Sequence, residues 1–389
     1  MRIATFNAQN IFSRPWAMSH DNHSVGQPVL DDMAELSSLF KKQTYTATVK
    51  ARIETLVDKY QLLNRSLDPA QRQLILREVR GRLWIDRQNG DRDWVATGSN
   101  DFLAWLELAT VAIDDRAIDN TARVIAAVDA DIQLLNEIEN RSTLQRFHDD
   151  VYLQMDTVDG AAADPQAYLH LLLMDGNDAR GIDVALMSRV PVSGMRSHIE
   201  RLRAPGKPLF ARDCAMFVFD MPDGERMVML GNHFSSKGSD VSGKRRREQS
   251  EEVARLVNEA LAWTPYVCVC GDLNEPPSDG HMPQLLNHPQ LKDVMSMPQY
   301  TDPFPGTYKT AGKAGGSDST KLAYILLSTA LQAKVQAVGI ERRGYVSTKW
   351  EPFSEITDQL NSGPPADRTR EKERVQASDH YCLWVDLNF

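Results

Sequence analysis

Polar side chains that could bind a metal ion or a phosphate follow strand-like segments at several points of this chain. In the segment 266–279, apolar residues lead into Gly271 and Asp272, and Asn274 follows two positions later. Side chains two positions apart on an extended chain point to the same side. Because α/β proteins place their chemistry at the carboxyl ends of strands, Asp272 and Asn274 are candidates for a reaction site. Asp and Asn are also ordinary turn residues, so this pair alone does not decide between the two interpretations.

Four other strand-like segments end in polar groups, and the whole set favours chemistry over ordinary turns. Their ends carry Asn7, Glu137, Asn232 with His233, and Asp379 with His380. Hard carboxylate oxygens favour Mg²⁺ or Mn²⁺, whereas zinc prefers clusters of His and Cys. A divalent ion polarises phosphoryl oxygens, a carboxylate can deprotonate an attacking water, and histidines can donate hydrogen bonds where charge develops. The set therefore predicts metal-assisted hydrolysis of a phosphate ester.

The elements that position these residues alternate between strands and helices. Hydrophobic periodicity predicts strands at 1–7, 131–137, 168–174, 182–187, 212–221, 226–230, 266–270, 324–328 and 334–340, with a last strand starting at 378. It predicts helices at 49–60, 115–129 and 253–261, and further helices at 76–83 and from Phe102 onward. Pro222-Asp223-Gly224 is typical of a hairpin turn. The pattern indicates an α/β or α+β fold with mixed sheets.

The stretch between the first and second strands is too long to be a simple connection. We expect residues 13–115 to form a helical insertion or cap within a single domain that spans residues 1–389. Residues 13–30 lack periodicity and are predicted to form a loop. Four tryptophans of this stretch are expected to pack in the core or the cap rather than to stack on bases: Trp16, Trp84, Trp94 and Trp105.

Composition limits the class of protein. A net charge of −9 over 389 residues argues against coating nucleic acid through bulk charge, although a cation in an acidic pocket would still admit a phosphate-bearing substrate. Four cysteines without a CxxC pair favour buried thiols over disulfides or structural zinc. No apolar run reaches the roughly 20 residues that span a bilayer, and no signal-peptide pattern opens the chain. We expect a cytoplasmic protein, although a signal removed earlier would leave no trace, and no protein partner is implied.

Six segments, in this order along the chain, resemble the motifs of the endonuclease/exonuclease/phosphatase superfamily, which includes deoxyribonuclease I-like enzymes and abasic-site endonucleases. They are residues 5–12 (TFNAQNIF), 131–140 (DIQLLNEIEN), 180–186 (RGIDVAL), 232–237 (NHFSSK), 271–277 (GDLNEPP) and 378–380 (SDH). The resemblance implies a four-layer sandwich, with two mixed β-sheets face to face and helices outside. It does not cover residues 13–115.

The resemblance also implies a role for each residue at the strand ends. Glu137 is similar to the principal ligand of a Mg²⁺ or Mn²⁺ ion, with Asn7 and Asp379 beside the metal. The residues similar to the catalytic groups of the family are His233, Asp272, Asn274 and His380. Among these, Asp272 matches the residue that activates water, Asn274 matches its phosphate-binding neighbour, and the two histidines match those at the scissile phosphate.

Further residues in the matching segments are expected to contact the phosphate or to support the site. The first group comprises Asn232, Lys237 and Arg180, although Arg180 and Asp183 could equally form a brace behind the site. Gln9 stands where some members carry an acidic metal ligand, so its role stays open. The basic run 244–247 could contact phosphates, but a solvated helix face next to glutamates is the preferred interpretation.

One position departs from the family pattern. Residues 321–328 align with a family strand in which an Asp precedes the aromatic residue, and Ala323 occupies that place here. The usual Asp accepts a hydrogen bond from the second histidine, so protonation of His380 should be less favoured without it. Another carboxylate could supply the role, the activity could be weak or altered, or the residue could have been changed.

The leading hypothesis is a phosphodiesterase, nuclease-like, that uses water as the nucleophile at phosphorus. Nucleic acid is the expected substrate class, with a small phosphodiester, a phospholipid or an inositol phosphate as alternatives. Phosphatase activity on a small molecule is a further alternative. The rival from another class is a binding protein that keeps the fold without catalysis, because Ala323 removes a usual partner of the site.

Overall fold

The computed structural model describes residues 1–11, 13–15, 17, 23–67, 71–87, 91–112, 115–178, 181–304, 306–309, 320–347, 349–362, 372 and 375–389. Internal contacts divide the chain into two compact units. The first comprises Met1–Phe12 together with Asp114–Phe389, and the second comprises Ser13–Ile113.

The first unit contains two six-stranded sheets. The strands of one sheet, in spatial order, are His170–Met174, Asp183–Ser188, Ile132–Ile138, Arg2–Ile11, Cys382–Leu387 and Val335–Glu341. The strands of the other are Val192–Arg196, Cys214–Asp220, Arg226–His233, Tyr266–Asp272, Ala323–Ser328 and Leu291–Asp293. Each sheet combines a parallel central pair with antiparallel neighbours, so both are mixed, as predicted.

Side chains alternate between an inner and an outer core, and this alternation produces four layers. On the strand Arg2–Ile11, Ile3 faces a core shared with Phe217 and Cys268 of the other sheet. Its neighbour Ala4 faces an outer core that includes Val124. A third core covers the far face of the second sheet. The central strands are buried on both faces, which explains their near-continuous apolar sequences. The predicted four-layer sandwich is confirmed.

Helices cover the outer faces of both sheets. Those of the first unit are Asp115–Val128, Arg141–Arg146, Lys244–Leu261, Pro283–Leu286, Thr329–Gln332 and Ser354–Ser362. A π-helical turn, Phe147–Tyr152, continues Arg141–Arg146, and 3₁₀ turns form at Pro277–Asp279 and Val294–Ser296. Two short hairpins complete the unit: Thr157–Val158 with Ala161–Ala162, and Leu202–Arg203 with Lys207–Pro208. The predicted helices at 115–129 and 253–261 are confirmed, and the second begins nine residues earlier, at Lys244.

The second unit is less helical than the sequence predicted. Its helices are His23–Phe40 and Ala47–Lys59, so the predicted helix at 49–60 is confirmed. The predicted loop at 13–30 is wrong at Ser13–Pro15, which is a strand, and from residue 23 onward. Three two-stranded ribbons follow: Ser13–Pro15 with Thr110–Ala112, Leu74–Arg80 with Leu103–Leu108, and Trp84–Asp86 with Arg92–Trp94. The predicted helices at 76–83 and from Phe102 are therefore wrong.

The error at 76–83 has a physical cause. Leu76, Val79 and Leu83 recur at helical spacing, but only Leu76 and Leu83 are even partly buried, and Val79 is exposed. Gly81 has φ +84°, and a Cβ there would lie 1.9 Å from the backbone oxygen of Asp101. A left-handed glycine at this close approach ends one strand and starts the next, so the three residues never share a helix face.

Two further expectations from composition concern the cysteines and the membrane. Cys214, Cys268, Cys270 and Cys382 are all buried free thiols, as predicted. Among the described helices, none is both long enough and apolar enough to cross a bilayer.

Candidate active site

The carboxyl ends of the parallel strand pairs converge on one cavity of the first unit. The pairing sets Asn7 beside Asn136 in one sheet and His233 beside Asp272 in the other. The cavity has a volume of about 350 Å³. Nine of the predicted site residues line it: Asn7, Gln9, Glu137, His233, Lys237, Asp272, Asn274, Asp379 and His380.

Asp272 lies at the floor of this cavity with both carboxylate oxygens held. Its Oδ2 accepts a hydrogen bond from Asn7 Nδ2 at 3.1 Å, and its Oδ1 accepts one from the backbone N–H of Asn274 at 2.9 Å. Burial raises the pKa of Asp272 to about 6, while the Asn7 amide and the Asn274 N–H oppose that rise. A carboxylate with a pKa near 6 is ionised at neutral pH and is still basic enough to accept a proton from water.

Gly271 lets the chain deliver Asp272 to this position. The φ angle of Gly271 is +132°, and a Cβ there would lie 1.9 Å from the backbone oxygen of Asn232 on the adjacent strand. No side chain fits such an approach, so the glycine before the aspartate is required by the backbone rather than by the reaction.

Glu137, Asp379 and Asn7 form the oxygen-rich side of the cavity. Asn7 Nδ2 also lies 3.3 Å from Glu137 Oε1, so this amide bridges Glu137 and Asp272. Burial raises the pKa of Asp379; the His380 charge opposes this, and Glu137 adds to it. Gln9 holds this side in place, because its Oε1 accepts a hydrogen bond from the Asp379 backbone N–H at 2.9 Å.

The donor set fits a hard divalent cation. Two carboxylates, Glu137 and Asp379, open on the same cavity and repel each other, which a Mg²⁺ or Mn²⁺ ion between them would relieve. Among the described residues, no three side chains of the types His, Cys, Asp and Glu are arranged to hold a metal on their own. The remaining coordination positions would fall to water or substrate oxygens, as is usual for Mg²⁺.

Both histidines point at the central carboxylate. His233 Nε2 lies 3.8 Å from Asp272 Oδ2 and 3.8 Å from Glu137 Oε1. His380 Nε2 lies 3.8 Å from Asp272 Oδ2, and its ring packs against Tyr308 with 4.6 Å between the ring centroids. Burial lowers the pKa of His380, although Asp379 and Glu137 oppose this. His380 Nδ1 is buried and has no hydrogen-bond partner among the described residues.

Three of the lining residues have left-handed backbones although they are not glycines. The φ angles are +41° at Gln9, +67° at Glu137 and +51° at Asn274. Asn tolerates this region well, but Gln and Glu enter it at a cost of about 1–3 kcal/mol each. Such strain persists where the surrounding structure enforces it, and it clusters at functional sites. Here it marks the rim that presents the carboxylate of Glu137.

Three other predicted residues, Asn232, Asp183 and Ala323, are not among those that line the cavity. Asn232 is fully buried and donates through Nδ2 to the Leu230 carbonyl, so it braces its own strand. Asp183 accepts a hydrogen bond from the Gly176 N–H at 2.8 Å, and burial raises its pKa to about 6. Ala323 is buried and pairs with Asp272 on the neighbouring strand. Arg180 lies outside the described residues. Lys237 reaches the cavity, although its Nζ lies 2.5 Å from Asp279 Oδ2.

Several functional candidates were not predicted from the sequence. Arg212 lines the cavity, is only 3% exposed, and donates to Asp178 Oδ2 at 3.0 Å and to the Phe234 carbonyl at 2.6 Å. Its charge lowers the pKa of Asp272, so it contributes positive potential at the site. A charged pair directly before the apolar strand Cys214–Asp220 was the available signal.

Asn136 also supports the site without having been predicted. It donates through Nδ2 to the Asn232 carbonyl, and its Oδ1 accepts from the Asp272 N–H, each at 3.2 Å. This side chain therefore ties the two sheets together directly below the general-base candidate. Ser236 and Tyr308 also line the cavity; Ser236 belongs to the segment 232–237 but was not singled out, and Tyr308 lies in a segment without a sequence motif.

The chain is similar to several solved structures at low sequence identity. Truncated TDP2 from Caenorhabditis elegans is 15% identical, with a TM-score of 0.44, 69% of this chain covered and 88% of that chain. A mannosyl-6-phosphatase from Bacteroides thetaiotaomicron is 14% identical, with a TM-score of 0.47 and coverages of 71% and 92%. An endonuclease/exonuclease/phosphatase family protein from Leptotrichia buccalis is 16% identical, with a TM-score of 0.45 and coverages of 71% and 94%. No curated protein matches the chain significantly.

A family model matches residues 105–335, which is more than half of the chain. This is the model of the endonuclease/exonuclease/phosphatase family. The matched region contains Glu137, His233, Asp272 and Asn274. Its match agrees with the two mixed sheets and with the order of the sequence motifs. The chain belongs to the endonuclease/exonuclease/phosphatase family.

Proposed function

We propose that this protein hydrolyses a phosphodiester by attack of water at phosphorus, with Asp272 as the general base. Members of its family are hydrolases that act on phosphate esters and generally depend on divalent metals. The observation that carries the proposal is the environment of Asp272. This carboxylate is buried, has a pKa of about 6, and lies 3.8 Å from two histidine Nε2 atoms.

In the proposed step, Asp272 takes the proton of the attacking water as the new P–O bond forms. The bond from phosphorus to the leaving oxygen breaks, and His233 is placed to give a proton to that oxygen, because its Nε2 opens on the cavity next to Asp272. Asn274 and Arg212 line the same cavity and supply an amide and a positive charge to the phosphoryl oxygens.

Asn7 acts as a positioning residue for this step. Its amide holds Asp272 Oδ2 at 3.1 Å, which keeps that carboxylate oriented towards the cavity. Asn274 adds a second restraint through its backbone N–H. Because a general base must lie within hydrogen-bond reach of the proton that it removes, this orientation is part of the activity.

A Mg²⁺ or Mn²⁺ ion would be held by Glu137 and Asp379, with Asn7 beside them, and when bound it would neutralise charge on the phosphoryl and leaving oxygens. Gln9 fixes the backbone of Asp379 rather than serving as an acidic ligand. Lys237 and Arg180 remain proposed contacts for the substrate phosphate, and Asp183 and Asn232 are proposed braces behind the site.

A nucleic acid is the proposed substrate class, and the segment 13–115 is proposed to act as an insertion within one catalytic domain. A small phosphodiester, a phospholipid or a phosphomonoester are the alternatives. A weakly active or purely binding protein is a second candidate function, because His380 Nδ1 lacks a hydrogen-bond partner among the described residues. A histidine without this support orients and protonates less readily.

A substrate panel tests the proposal. The panel contains bis-p-nitrophenyl phosphate, p-nitrophenyl phosphate, single- and double-stranded DNA, RNA and inositol phosphates, each with Mg²⁺, Mn²⁺ or EDTA. We expect metal-dependent turnover of diesters that Glu137→Ala and Asp272→Ala abolish. Asp223→Asn is a matched control, because Asp223 lies in the turn before the strand Arg226–His233 and pairs with Lys334. If no ester is cleaved with either metal, the binding-protein alternative replaces this proposal.

A further inference from the structure

A second cavity, of about 700 Å³, lies entirely within the unit Ser13–Ile113. We call it the arginine groove. Its lining includes four arginines and one carboxylate: Arg65, Arg72, Arg77, Arg82 and Glu78. An aromatic side chain, Trp105, also lines it. This combination is unexpected in a chain whose net charge is −9.

The strand ribbon that carries the groove has one buried and one open face. Leu74 and Leu106 face the core of this unit. Arg77 and Trp105 lie directly opposite each other on the two strands and share the other face, because side chains alternate along a strand. The exposed fraction of Trp105 is 52%. The prediction that Trp105 packs in the core or the cap is therefore wrong.

Trp105 is held in place although it is exposed. Its Nε1 donates to Glu107 Oε1 at 2.9 Å, which restricts the rotation of the ring. Among the described residues, no other ring and no cation stacks on it. The contrast is Trp84, which is 5% exposed and has the Arg92 guanidinium 4.7 Å from its ring centroid. The face of Trp105 is therefore free to accept a planar ligand.

Three of the four arginines form no ion pair among the described residues, and two of these are exposed without any side-chain partner there. Arg77 pairs with Glu107 at 2.9 Å, and Arg72 donates to backbone carbonyls, including Asn64 and Leu67. Arg65 and Arg82 are exposed and have no ion pair in the part of the chain that the structure describes. Across residues 65–82 the sequence has five arginines and two acidic residues, so the local charge is positive.

We propose that the arginine groove binds single-stranded nucleic acid, with phosphates at Arg65 and Arg82 and a base stacked on Trp105. Single-strand binding sites combine a positive groove with exposed aromatic rings, and the strand must be unpaired for a base to reach the ring. An acidic peptide would use the arginines but would leave the aromatic face without a planar partner. The proposal deepens the proposed function by naming single strands as its substrate class, but binding here does not require hydrolysis.

Fluorescence anisotropy with the full chain tests this proposal. The probe is a labelled oligothymidylate of about 15 nucleotides, a length within the site sizes known for such grooves, in EDTA so that no turnover occurs. We expect Trp105→Ala to weaken binding about 5- to 100-fold, and Trp105→Phe to keep most of the affinity, because a phenyl ring still stacks. The matched control is Trp263→Ala, whose side chain is 50% exposed in the other unit.

The double variant Arg65→Ala/Arg82→Ala tests the phosphate contacts. A plot of log affinity against log salt has a negative slope, and each phosphate contact to a single strand contributes about −0.7 to it. The slope of the double variant should therefore be shallower than that of the wild type by about 1.4. The control is Arg52→Ala, an exposed arginine of the same unit that is paired with Glu35. Circular dichroism spectra establish that each variant is folded.

Three results would overturn the proposal: no binding by the wild type, unchanged affinity in the Trp105→Ala and double-arginine variants, or equal competition by polyglutamate. The last result would indicate an acidic protein partner. A chain that binds the oligonucleotide but cleaves no ester contradicts the proposed function and not the groove. If the protein cleaves diesters but neither variant changes its affinity for the oligonucleotide, the role of the arginine groove is contradicted and the proposed function is not.

Discussion

Arg246→Met should destabilise the protein strongly. Arg246 belongs to the basic run 244–247, for which the sequence predicts a solvated helix face, but the structure buries it. Arg246 is buried, and its Nε lies 2.6 Å from Glu275 Oε2, with side-chain exposures of 2% and 1%. Its Nη1 also donates to the carbonyls of Ser235 at 3.3 Å and Asp240 at 2.9 Å. The guanidinium thus ties the loop after His233 to the loop after Asp272.

The magnitude follows from burial. Removing one partner of a buried ion pair leaves an uncompensated charge, at a cost of about 3–5 kcal/mol. His281 Nδ1 lies 2.6 Å from the other oxygen of Glu275 and compensates only part of that cost. Against a total stability of about 5–15 kcal/mol, we expect a loss of about 4 kcal/mol. Displacement of Asn274 and Ser236 on the two loops should lower kcat about 10- to 100-fold.

Urea denaturation gives the free energy of unfolding, and a double-mutant cycle separates the pair from its surroundings. Arg246→Met/Glu275→Leu should recover at least about 2 kcal/mol relative to the sum of the single variants, because neither charge of this pair is then buried without the other. Lys244→Met on the same helix is the control. Lys244 is 71% exposed and 4.0 Å from Glu248, so its loss should cost less than about 1 kcal/mol. A change below about 1 kcal/mol in Arg246→Met, with kcat intact, would refute this reasoning.

Two further substitutions test the groups behind the site. The folded pKa of Asp183 is raised to about 6 from an ordinary value of 3.8, so its ionisation penalises the fold fully above about pH 6 and not at all below about pH 4. Asp183→Asn keeps an oxygen that can accept from the Gly176 N–H and carries no charge. The difference between its urea midpoint and that of the wild type should therefore increase in favour of the variant as pH rises from about 4 to about 7. Ala323→Asp should raise kcat about 10-fold or more by giving His380 Nδ1 an acceptor, since hydrogen bonds to charged groups contribute about 1.5–3 kcal/mol. Ala323→Asn is its control, and an equal gain there would show that the carboxylate is irrelevant.

The strand ends of the first unit can be predicted from the sequence because the relevant signals are local, whereas the four layers were implied only by the resemblance to the family. Asp272 follows a buried strand and a glycine, and the pair Asp379-His380 precedes the last strand. Each motif carries its own geometry, so its residues stay together wherever the strand lies. The ordered set then indicates which strand ends meet.

Residues that act through tertiary contacts leave a much weaker signal. Arg212 and Arg246 look like surface arginines in the sequence, but tertiary packing buries both of them. Trp105 shows the converse, because it lies on the open face of a two-stranded ribbon and is half-exposed although it is a large apolar residue. The spacing of Leu76, Val79 and Leu83 is typical of a helix, and the left-handed turn at Gly81 ends the strand before Leu83 and so decides against one.

The central claim is that Asp272 activates water in a metal-dependent hydrolysis. Its most direct test is the kcat of Asp272→Asn on bis-p-nitrophenyl phosphate with Mn²⁺, measured beside the affinity for Mn²⁺ by calorimetry. Asn keeps the size of the side chain and an oxygen for the Asn274 N–H. We expect kcat to fall about 10²- to 10⁴-fold, with Mn²⁺ affinity within about threefold of the wild type. A variant that retains more than about a tenth of the wild-type kcat would contradict the account, because loss of a general base typically lowers the rate by about 10²- to 10⁴-fold.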